Sequence, residues 1–277
     1  MSLLKKNLRN IYSIFYNKFL SQVITKFYFK KPLRVLIFHS VKDTGKFNKL
    51  IKALTRDWHI ITPNEFFHLL DNNIKVSKPT LLITFDDGFR NNLKILSILD
   101  DYSISALFFI CPGLVELESR NLLFSFFSKK QFRIKSNYEE IKLLNWDDLR
   151  FIQSKGHSIG NHSSFHYQVN RLLIRELQED VSLSKNLLLK NLEFNKSFDS
   201  FSYPFGGVNH INLSSLKYLS KSFKYVFSGI RGNNNCSSSK IIFRDAVSLD
   251  DKIEITESFM KGCFDLYYII KSIKLIF

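Results

Sequence analysis

The chain has 277 residues, of which 45% are hydrophobic, and this is enough apolar material for one large buried core. Its formal net charge of +15 favours an anionic partner, but no zinc-finger spacing, RNA-recognition signature or long Lys/Arg block is present, so nucleic acid is excluded as the expected partner. The three cysteines, Cys111, Cys236 and Cys263, are odd in number and far apart, which excludes a disulfide framework and favours a reducing compartment.

Residues 1–33 are a basic segment with an apolar stripe. The first 34 residues hold eight Lys/Arg and no acid, and apolar residues from Leu4 to Val23 recur every three or four positions. This pattern predicts an amphipathic helix that either lies on an anionic membrane surface or packs on the rest of the protein. Since no run of about 18 apolar residues and no signal-peptide cleavage pattern occurs, we expect a cytoplasmic protein, peripheral on the inner membrane face.

Short apolar runs then alternate with helical patterns, which indicates βα units and an α/β fold. The predicted strands are Arg34–His39, Thr80–Phe85, Ala106–Ile110, His157–Gly160, Phe198–Tyr203, Tyr225–Ser228 and Ile241–Phe243. The clearest helical patterns cover Asn92–Leu99, Trp146–Ser154 and Arg171–Leu192, and Gly156 is a suitable end for the second. The pattern indicates a mostly parallel sheet or a barrel, and seven strands are close to a barrel count. We expect a distorted (β/α)7 barrel, TIM-like, with peripheral N- and C-terminal helices.

We expect three regions: the basic segment 1–33, one catalytic domain over 34–250, and a C-terminal helix over 251–277. Residues 266–277 repeat the apolar and basic mixture of the N-terminus and are expected to share its surface.

Polar residues lie at the ends of several predicted strands or in the segments that follow them. They are His39, the pair Asp86 and Asp87, the pair His162 and His166, and the stretch Pro204-Phe-Gly-Gly207. In α/β architectures the loops at the carboxyl ends of the strands carry function, so these side chains are expected to converge.

The histidine pair and the aspartate pair together indicate a catalytic metal site. Two imidazoles four residues apart can reach one ion, and one carboxylate completes a set that leaves coordination positions open. The other carboxylate is then free to take a proton from water. Neighbouring strand residues point to opposite faces, so a turn at Gly88 is needed to bring both carboxylates to one pocket.

These residues resemble the polysaccharide deacetylases of carbohydrate esterase family 4, the NodB-homology family. Thr84-Phe-Asp-Asp-Gly88 is similar to its first motif and His162-Ser-Ser-Phe-His166 to its second. The resemblance implies that Asp86 is the general base and that Asp87, His162 and His166 bind a divalent metal, zinc or another transition ion. It also implies removal of an N-acetyl or N-formyl group from an amino sugar of a glycan or a lipid-linked sugar.

Tyr203-Pro-Phe-Gly206 resembles the third motif of that family. By this resemblance the Phe205 N–H is expected to stabilise the oxyanion, and Tyr203 and Pro204 to line the substrate site. The family's arginine, two residues before the proline, is replaced here by Ser202. Arg244, followed by Asp245, either takes its place at the substrate and the base or is an ordinary surface residue.

The family's late histidine, which supplies the general acid, is absent, because no histidine follows His210. Val35–Val41 resembles the first strand of the poly-N-acetylglucosamine deacetylase branch, where an early histidine is the acid, so His39 is the candidate. The alternative is a histidine at a strand end that lies in the core or supports the site from behind. The same absence keeps open an inactive glycan-binding or membrane-associated homologue. A related cyclic-amide or ureide hydrolase also fits the motifs.

Overall fold

The computed structural model describes Tyr12 and residues 31–119, 142–235 and 241–276. Its strands are β1 Leu33–Phe38, β2 His59–Ile60, β3 Thr80–Phe85, β4 Leu107–Ile110, β5 Ser158–Asn161, β6 Ser200–Ser202, β7 Tyr225–Phe227 and β8 Asp245–Ala246. The α-helices in the described ranges are α1 Thr44–Asp57, α2 Pro63–Asp71, α3 Leu96–Asp101, α4 Pro112–Ser119, α5 Trp146–Ser154, α6 Ile174–Asn191, α7 Leu213–Ser222, α8 Ile253–Met260 and α9 Asp265–Ile276.

The strands form one parallel sheet that curls towards closure. Their order is β7-β6-β5-β4-β3-β1-β8, and the short β2 pairs with the start of β3. The segment before β8 joins the two edges, because Ile242 bridges to Phe227 of β7 while Asp245 pairs with Leu36 of β1. This architecture confirms the predicted distorted (β/α)7 barrel.

Strand side chains alternate between an inner and an outer apolar layer, as a pleated strand requires. Leu81, Ile83 and Phe85 of β3 lie in the outer layer, in a cluster with residues of α1, α3 and α5. Leu82 lies in the inner layer, in a cluster that includes Val35. Burial on both faces explains why apolar residues predominate in both β1 and β3. This alternation fixes which residues after each strand face the inside of the barrel.

Six of the seven predicted strands and the predicted helices occur with small shifts at their ends. The seventh, Ile241–Phe243, forms only an isolated bridge at Ile242, and the strand follows at Asp245–Ala246. Thr80–Phe85 and Trp146–Ser154 have the predicted bounds, and Gly156 follows α5 with a left-handed φ of +80°. The pattern at Asn92–Leu99 divides into a 3₁₀ helix, Arg90–Ile95, followed by α3.

The C-terminal region contains two helices rather than the single helix predicted over 251–277. The break between α8 and α9 occurs at Gly262, whose φ is +88°. A Cβ at this position would also lie 3.1 Å from Arg34 Nη2 and from Asp265 Oδ2, so glycine suits both the turn and the packing.

The prediction for residues 1–33 lies almost wholly outside the described residues, as do Cys236 and most of the stretch 115–140. Tyr12 is described, and its ring centroid lies 5.1 Å from that of Phe264, just before α9. In the described part of the chain, no helix combines the length and the apolar character needed to cross a bilayer.

Candidate active site

Three potential metal ligands converge at the carboxyl ends of β3 and β5. Asp87 Oδ1 lies 3.3 Å from His162 Nε2 and 3.3 Å from His166 Nε2. One donor atom from each of the three residues lies within 4.8 Å of the other two. The structure therefore brings together the three side chains that the resemblance assigns to a metal.

This group passes a test of fit to a cation. Ligand atoms that share an ion at about 2.0–2.2 Å in a tetrahedral shell lie about 3.4 Å apart, close to the separations found here. In addition, Asp87 Oδ1 is buried and has no hydrogen-bond partner among the described residues. A buried carboxylate oxygen without a partner is costly unless a cation or another donor compensates it.

The orientation of His162 follows from a hydrogen bond on the far side of its ring. Its Nδ1 lies 2.8 Å from the Ser202 carbonyl oxygen, which can only accept, so Nδ1 carries the proton. In the neutral ring that a metal requires, Nε2 is then the atom that presents a lone pair on the side of Asp87. A carbonyl that fixes the tautomer in this way is the usual support for a histidine metal ligand.

A double left-handed turn after β3 sends both aspartates to this site. Asp87 has a φ of +72° and Gly88 a φ of +75°. As a result, Asp86 Oδ2 lies 3.9 Å from the same His162 Nε2 that Asp87 approaches. The predicted turn at Gly88 is present, and the strained backbone extends to Asp87 itself.

The two carboxyl groups are both held ionised, for different reasons. Burial raises the pKa of Asp87, but the imidazoles of His162 and His166 outweigh it and hold the pKa well below its usual range. Burial also raises the pKa of Asp86, and here the Arg244 guanidinium, with help from His162 and His39, brings the pKa below its usual value.

Arg244 forms a bidentate ion pair with Asp86 inside the barrel. Its Nη1 and Nη2 each lie 2.8 Å from one oxygen of the Asp86 carboxylate. Its other N–H groups donate to the Ser228 carbonyl, to Thr84 Oγ1 and to Ser202 Oγ. With five donors used and 1% of the residue exposed, Arg244 has no N–H left for a substrate.

The structure places Arg244 at the base, as one of the alternatives for this residue required, and corrects the other two expectations. Arg244 is neither a direct substrate contact nor a surface residue, and instead it holds Asp86 in place. The Ser202 hydroxyl, at the position of the family's arginine, accepts a hydrogen bond from Arg244 Nη2 and donates one to Asp86 Oδ2 at 3.3 Å, so it supports both members of the pair.

The loop after β6 presents the Phe205 backbone to the site. Phe205 has a φ of +63°, and its ring, with the residue 57% exposed, lies 4.7 Å from the His166 ring. Its N–H has no hydrogen-bond partner among the described residues. The loop is held by close backbone contact, since a Cβ on Gly206 would lie 2.5 Å from Gly229 N.

The side chains of Tyr203 and Pro204 do not line the pocket, which corrects the prediction that they contact substrate. Tyr203 is 1% exposed, packs against Phe201 in the outer layer, and its hydroxyl lies 3.2 Å from Ser215 Oγ of α7. Pro204 is buried as well. Strand alternation is the cause, because Tyr203 continues the outward face of Phe201 while Ser202 faces inward.

His39 lies at the rim of the site. It follows β1, its side chain is exposed, and it contributes to the lowered pKa of Asp86. The alternative of a buried core histidine is therefore wrong. Its carbonyl oxygen accepts a hydrogen bond from Asn92 Nδ2 at 2.9 Å, which fixes the backbone at this strand end.

Sequence reasoning missed the polar residues that support this site from behind. Thr84 and Ser202 contact Arg244, and Ser163 and Ser164 form a buried hydrogen-bonded loop between the two histidines. Strand alternation before Asp86 and Pro204 would have indicated that Thr84 and Ser202 face inward.

The fold and the site define a parallel α/β barrel protein with a two-histidine, one-aspartate cluster at the carboxyl ends of its strands. The family model for polysaccharide deacetylases matches residues 73–222, and the chain belongs to that family. YxkH of Bacillus subtilis (strain 168), a polysaccharide deacetylase homologue, is 25% identical over 197 residues, which are 67% of this chain and 62% of YxkH. The chain thus spans less than two thirds of that relative.

Two solved structures show the same fold. IcaB from Ammonifex degensii aligns with a TM-score of 0.66 at 20% identity and covers 84% of this chain and 98% of IcaB. The deacetylase PplD from Streptococcus pyogenes, solved in complex with acetate, aligns with a TM-score of 0.65 at 16% identity and covers 83% of this chain and 98% of PplD.

Proposed function

We propose that the protein is a metal-dependent hydrolase that removes an N-acetyl or N-formyl group from an amino sugar of a glycan or a lipid-linked sugar. The observation that carries the proposal is the 3.3 Å convergence of Asp87 Oδ1 with two imidazole nitrogens beside a second carboxylate, Asp86, which the cluster does not need. Family membership supports the substrate class, because polysaccharide deacetylases act on acetylated sugars.

In this proposal Asp87, His162 and His166 hold a divalent cation, zinc or another transition ion. When bound, such a cation polarises the acyl carbonyl and lowers the pKa of the attacking water. The imidazole and carboxylate donors suit zinc and its neighbours in the first transition series. His166, with its side chain 25% exposed, leaves one side of the cluster open to substrate.

Asp86 acts as the general base. Arg244 fixes its carboxylate, so one oxygen keeps a constant direction towards the cluster, 3.9 Å from His162 Nε2. A water there loses its proton to Asp86 as its oxygen forms the new bond to the acyl carbon. An ionised Asp86 is required for this step, and the lowered pKa keeps it ionised at neutral pH.

The tetrahedral oxyanion is stabilised by the Phe205 N–H, the free donor beside His166. The C–N bond then breaks, and the amine nitrogen needs a proton. His39 at the rim supplies it, which takes the place of the late histidine that the sequence lacks. Acetate or formate and a free amino sugar are the products.

One observation still favours the inactive, glycan-binding alternative, namely the missing late histidine. The family's arginine is also missing at position 202, but this favours the alternative less, since Arg244 holds Asp86 as an arginine there would have done. A cyclic-amide or ureide hydrolase shares the reaction centre, and its substrate would be decided by the loops.

We also propose peripheral contact with an anionic membrane surface through residues 1–33 and α9. The support in the described residues is an apolar patch on α9, where Leu266, Tyr267 and Ile270 are 70%, 50% and 62% exposed. Lys271 beside them is exposed too, a combination suited to an anionic lipid interface. A lipid-linked sugar as the substrate would agree with this surface.

The enzyme proposal is tested by stripping the protein with a chelator, reloading it with zinc, cobalt or manganese, and assaying N-acetylated oligosaccharides and lipid-linked amino sugars. We expect acetate or formate release only from reloaded protein. Metal binding without turnover on any of these substrates would favour the glycan-binding alternative, whereas failure to bind metal would reject the proposal.

A further inference from the structure

A buried carboxylate lies behind the loop that carries the two histidines. Asp180 of α6 is 5% exposed, and its Oδ1 accepts hydrogen bonds from the Ser164 N–H at 2.8 Å and from Ser163 Oγ at 3.2 Å. Its backbone carbonyl accepts a third from Ser164 Oγ at 2.9 Å. Asp180 therefore grips both residues that follow His162, without being part of the metal cluster.

The loop from His162 to His166 has a strained backbone, and contacts from outside the loop are needed to stabilise it. Ser163 has a φ of +64° and His166 a φ of +57°, and neither is glycine. Each left-handed residue of this kind costs about 1–3 kcal/mol and persists only when its surroundings impose it. The Ser164 N–H is also buried, so the loss of its acceptor would leave an unpaired donor at a cost of about 1–3 kcal/mol.

Hydrogen bonds link Asp180 to both ends of the histidine loop, directly at Ser163 and through Ser163 at Tyr167. Ser163 directly follows His162, and its hydroxyl oxygen accepts a hydrogen bond from the Tyr167 N–H at 3.1 Å, one residue after His166. The chain from Asp180 through Ser163 to Tyr167 thus brackets both histidines. The ring centroids of the two imidazoles lie 5.1 Å apart.

The contacts involve hydrogen-bond acceptance rather than an ion pair. No described Lys, Arg or His pairs with Asp180, its Oδ2 has no partner among the described residues, and burial raises the pKa of its carboxyl group. An asparagine could present the same acceptor oxygen to Ser163 and Ser164.

We propose that Asp180 is a positioning residue that holds His162 and His166 at the separation needed to bind a metal, by accepting hydrogen bonds from Ser163 and Ser164. This inference rests on the proposed metal-dependent function. Residues behind metal ligands typically change metal affinity about 10–100-fold when they are removed.

The test is a zinc titration of the metal-free full-length protein with a competing chromophoric chelator. We expect Asp180→Ala to weaken zinc binding about 10–100-fold, and Asp180→Asn to stay within about threefold of wild type. Val181→Ala is the matched control, because Val181 is the next residue of α6, is 4% exposed and packs in an apolar cluster with Leu177 and Phe201. It should lower the melting temperature and leave zinc affinity unchanged.

Amide hydrogen exchange of the metal-free proteins gives a second readout, independent of zinc. Asp180→Ala should accelerate exchange at Ser164 and Tyr167, and Val181→Ala should not. Wild-type affinity in Asp180→Ala, an Asn variant as weak as the Ala variant, or unchanged exchange in Asp180→Ala would each overturn the inference. If wild type itself binds no zinc, the proposed function fails, and the exchange data alone decide whether Asp180 holds the loop.

Discussion

Arg244 and Asp86 form a bidentate ion pair inside the barrel, with two N–O distances of 2.8 Å and with 1% and 4% of their side chains exposed. The pair joins the segment before β8 to the end of β3. Arg244 thus lies beside the proposed base, Asp86, in place of the arginine that the third motif lacks at position 202. Arg244 therefore affects both the stability of the protein and the pKa of Asp86, and mutations can separate the two effects.

Replacing Arg244 with methionine should destabilise the protein by about 3–5 kcal/mol, because it leaves the buried Asp86 carboxylate without its partner. Removing the arginine also removes the chief influence that lowers the pKa of Asp86, so the acid limb of the kcat/KM profile should move to higher pH. Urea unfolding and the pH profile measure the two effects. The double variant Arg244→Met, Asp86→Asn carries no buried charge at the pair and should regain part of the lost stability. A single variant as stable as wild type, with the same acid limb, would contradict this role.

Asp86→Asn should lower kcat by at least about 10²–10⁴-fold, the usual contribution of a general base, while metal still binds. Asp87→Asn is the matched neighbour, and it should lose metal as well as activity because its Oδ1 is the oxygen that faces both imidazoles. Acetate or formate release and metal content after dialysis separate the two outcomes. Unchanged turnover in Asp86→Asn would reject the assigned base.

His39→Ala tests the proposed acid. We expect kcat to fall by about 10²–10⁴-fold with metal affinity unchanged. His210→Ala is a suitable control, since His210 belongs to the same side of the molecule as Phe205, with ring centroids 5.7 Å apart, but has no assigned role. Equal loss in both variants would argue against a specific proton donor at His39.

Much of the fold and of the metal cluster could be predicted, because the apolar runs of β1 and β3 and the motifs at Asp86–Gly88 and His162–His166 are local in the sequence. Arg244 was harder to place. The predicted strand ended at Phe243, whereas strand pairing resumes at Asp245, and only this continuation shows that Arg244 faces the interior. Asp180 carried no local signal, since a carboxylate in the middle of a helix usually faces solvent.

His157 predicts a pH dependence of stability that is separate from catalysis. It is 3% exposed, its Nδ1 accepts a hydrogen bond from the Ala106 N–H at 3.1 Å, and burial lowers its pKa to about 4. In the unfolded chain the His157 imidazole binds a proton near pH 6.5, whereas in the folded protein it does so only near pH 4. The contribution of neutral His157 to the free energy of unfolding is therefore complete above pH 6.5 and is lost as the pH falls towards 4. At pH 4.5 the loss should be about 2–3 kcal/mol.

His157→Asn keeps an acceptor for Ala106 without a titrating ring. The difference in unfolding free energy between pH 7 and pH 4.5 should therefore be about 2–3 kcal/mol smaller in this variant than in wild type. Urea titrations at the two pH values measure it, and the comparison cancels any constant cost of the substitution. An identical pH difference in both proteins would show that His157 is not buried in its neutral form.

The apolar patch of α9 gives the membrane proposal its sharpest test. Ile270→Asp places a charge at the centre of Leu266, Tyr267 and Ile270, and it should weaken binding to vesicles that contain anionic lipid by about tenfold or more. Leu189→Asp is the matched control, because Leu189 is 55% exposed on α6 and lies outside this patch. Deletion of residues 1–30 should reduce binding in the same assay and leave metal affinity intact. Co-sedimentation with anionic and neutral vesicles measures all four proteins. Equal binding by wild type, Ile270→Asp and the truncated form would remove the membrane proposal and leave the proposed metal centre untouched, since none of the described side chains of α9 belongs to it.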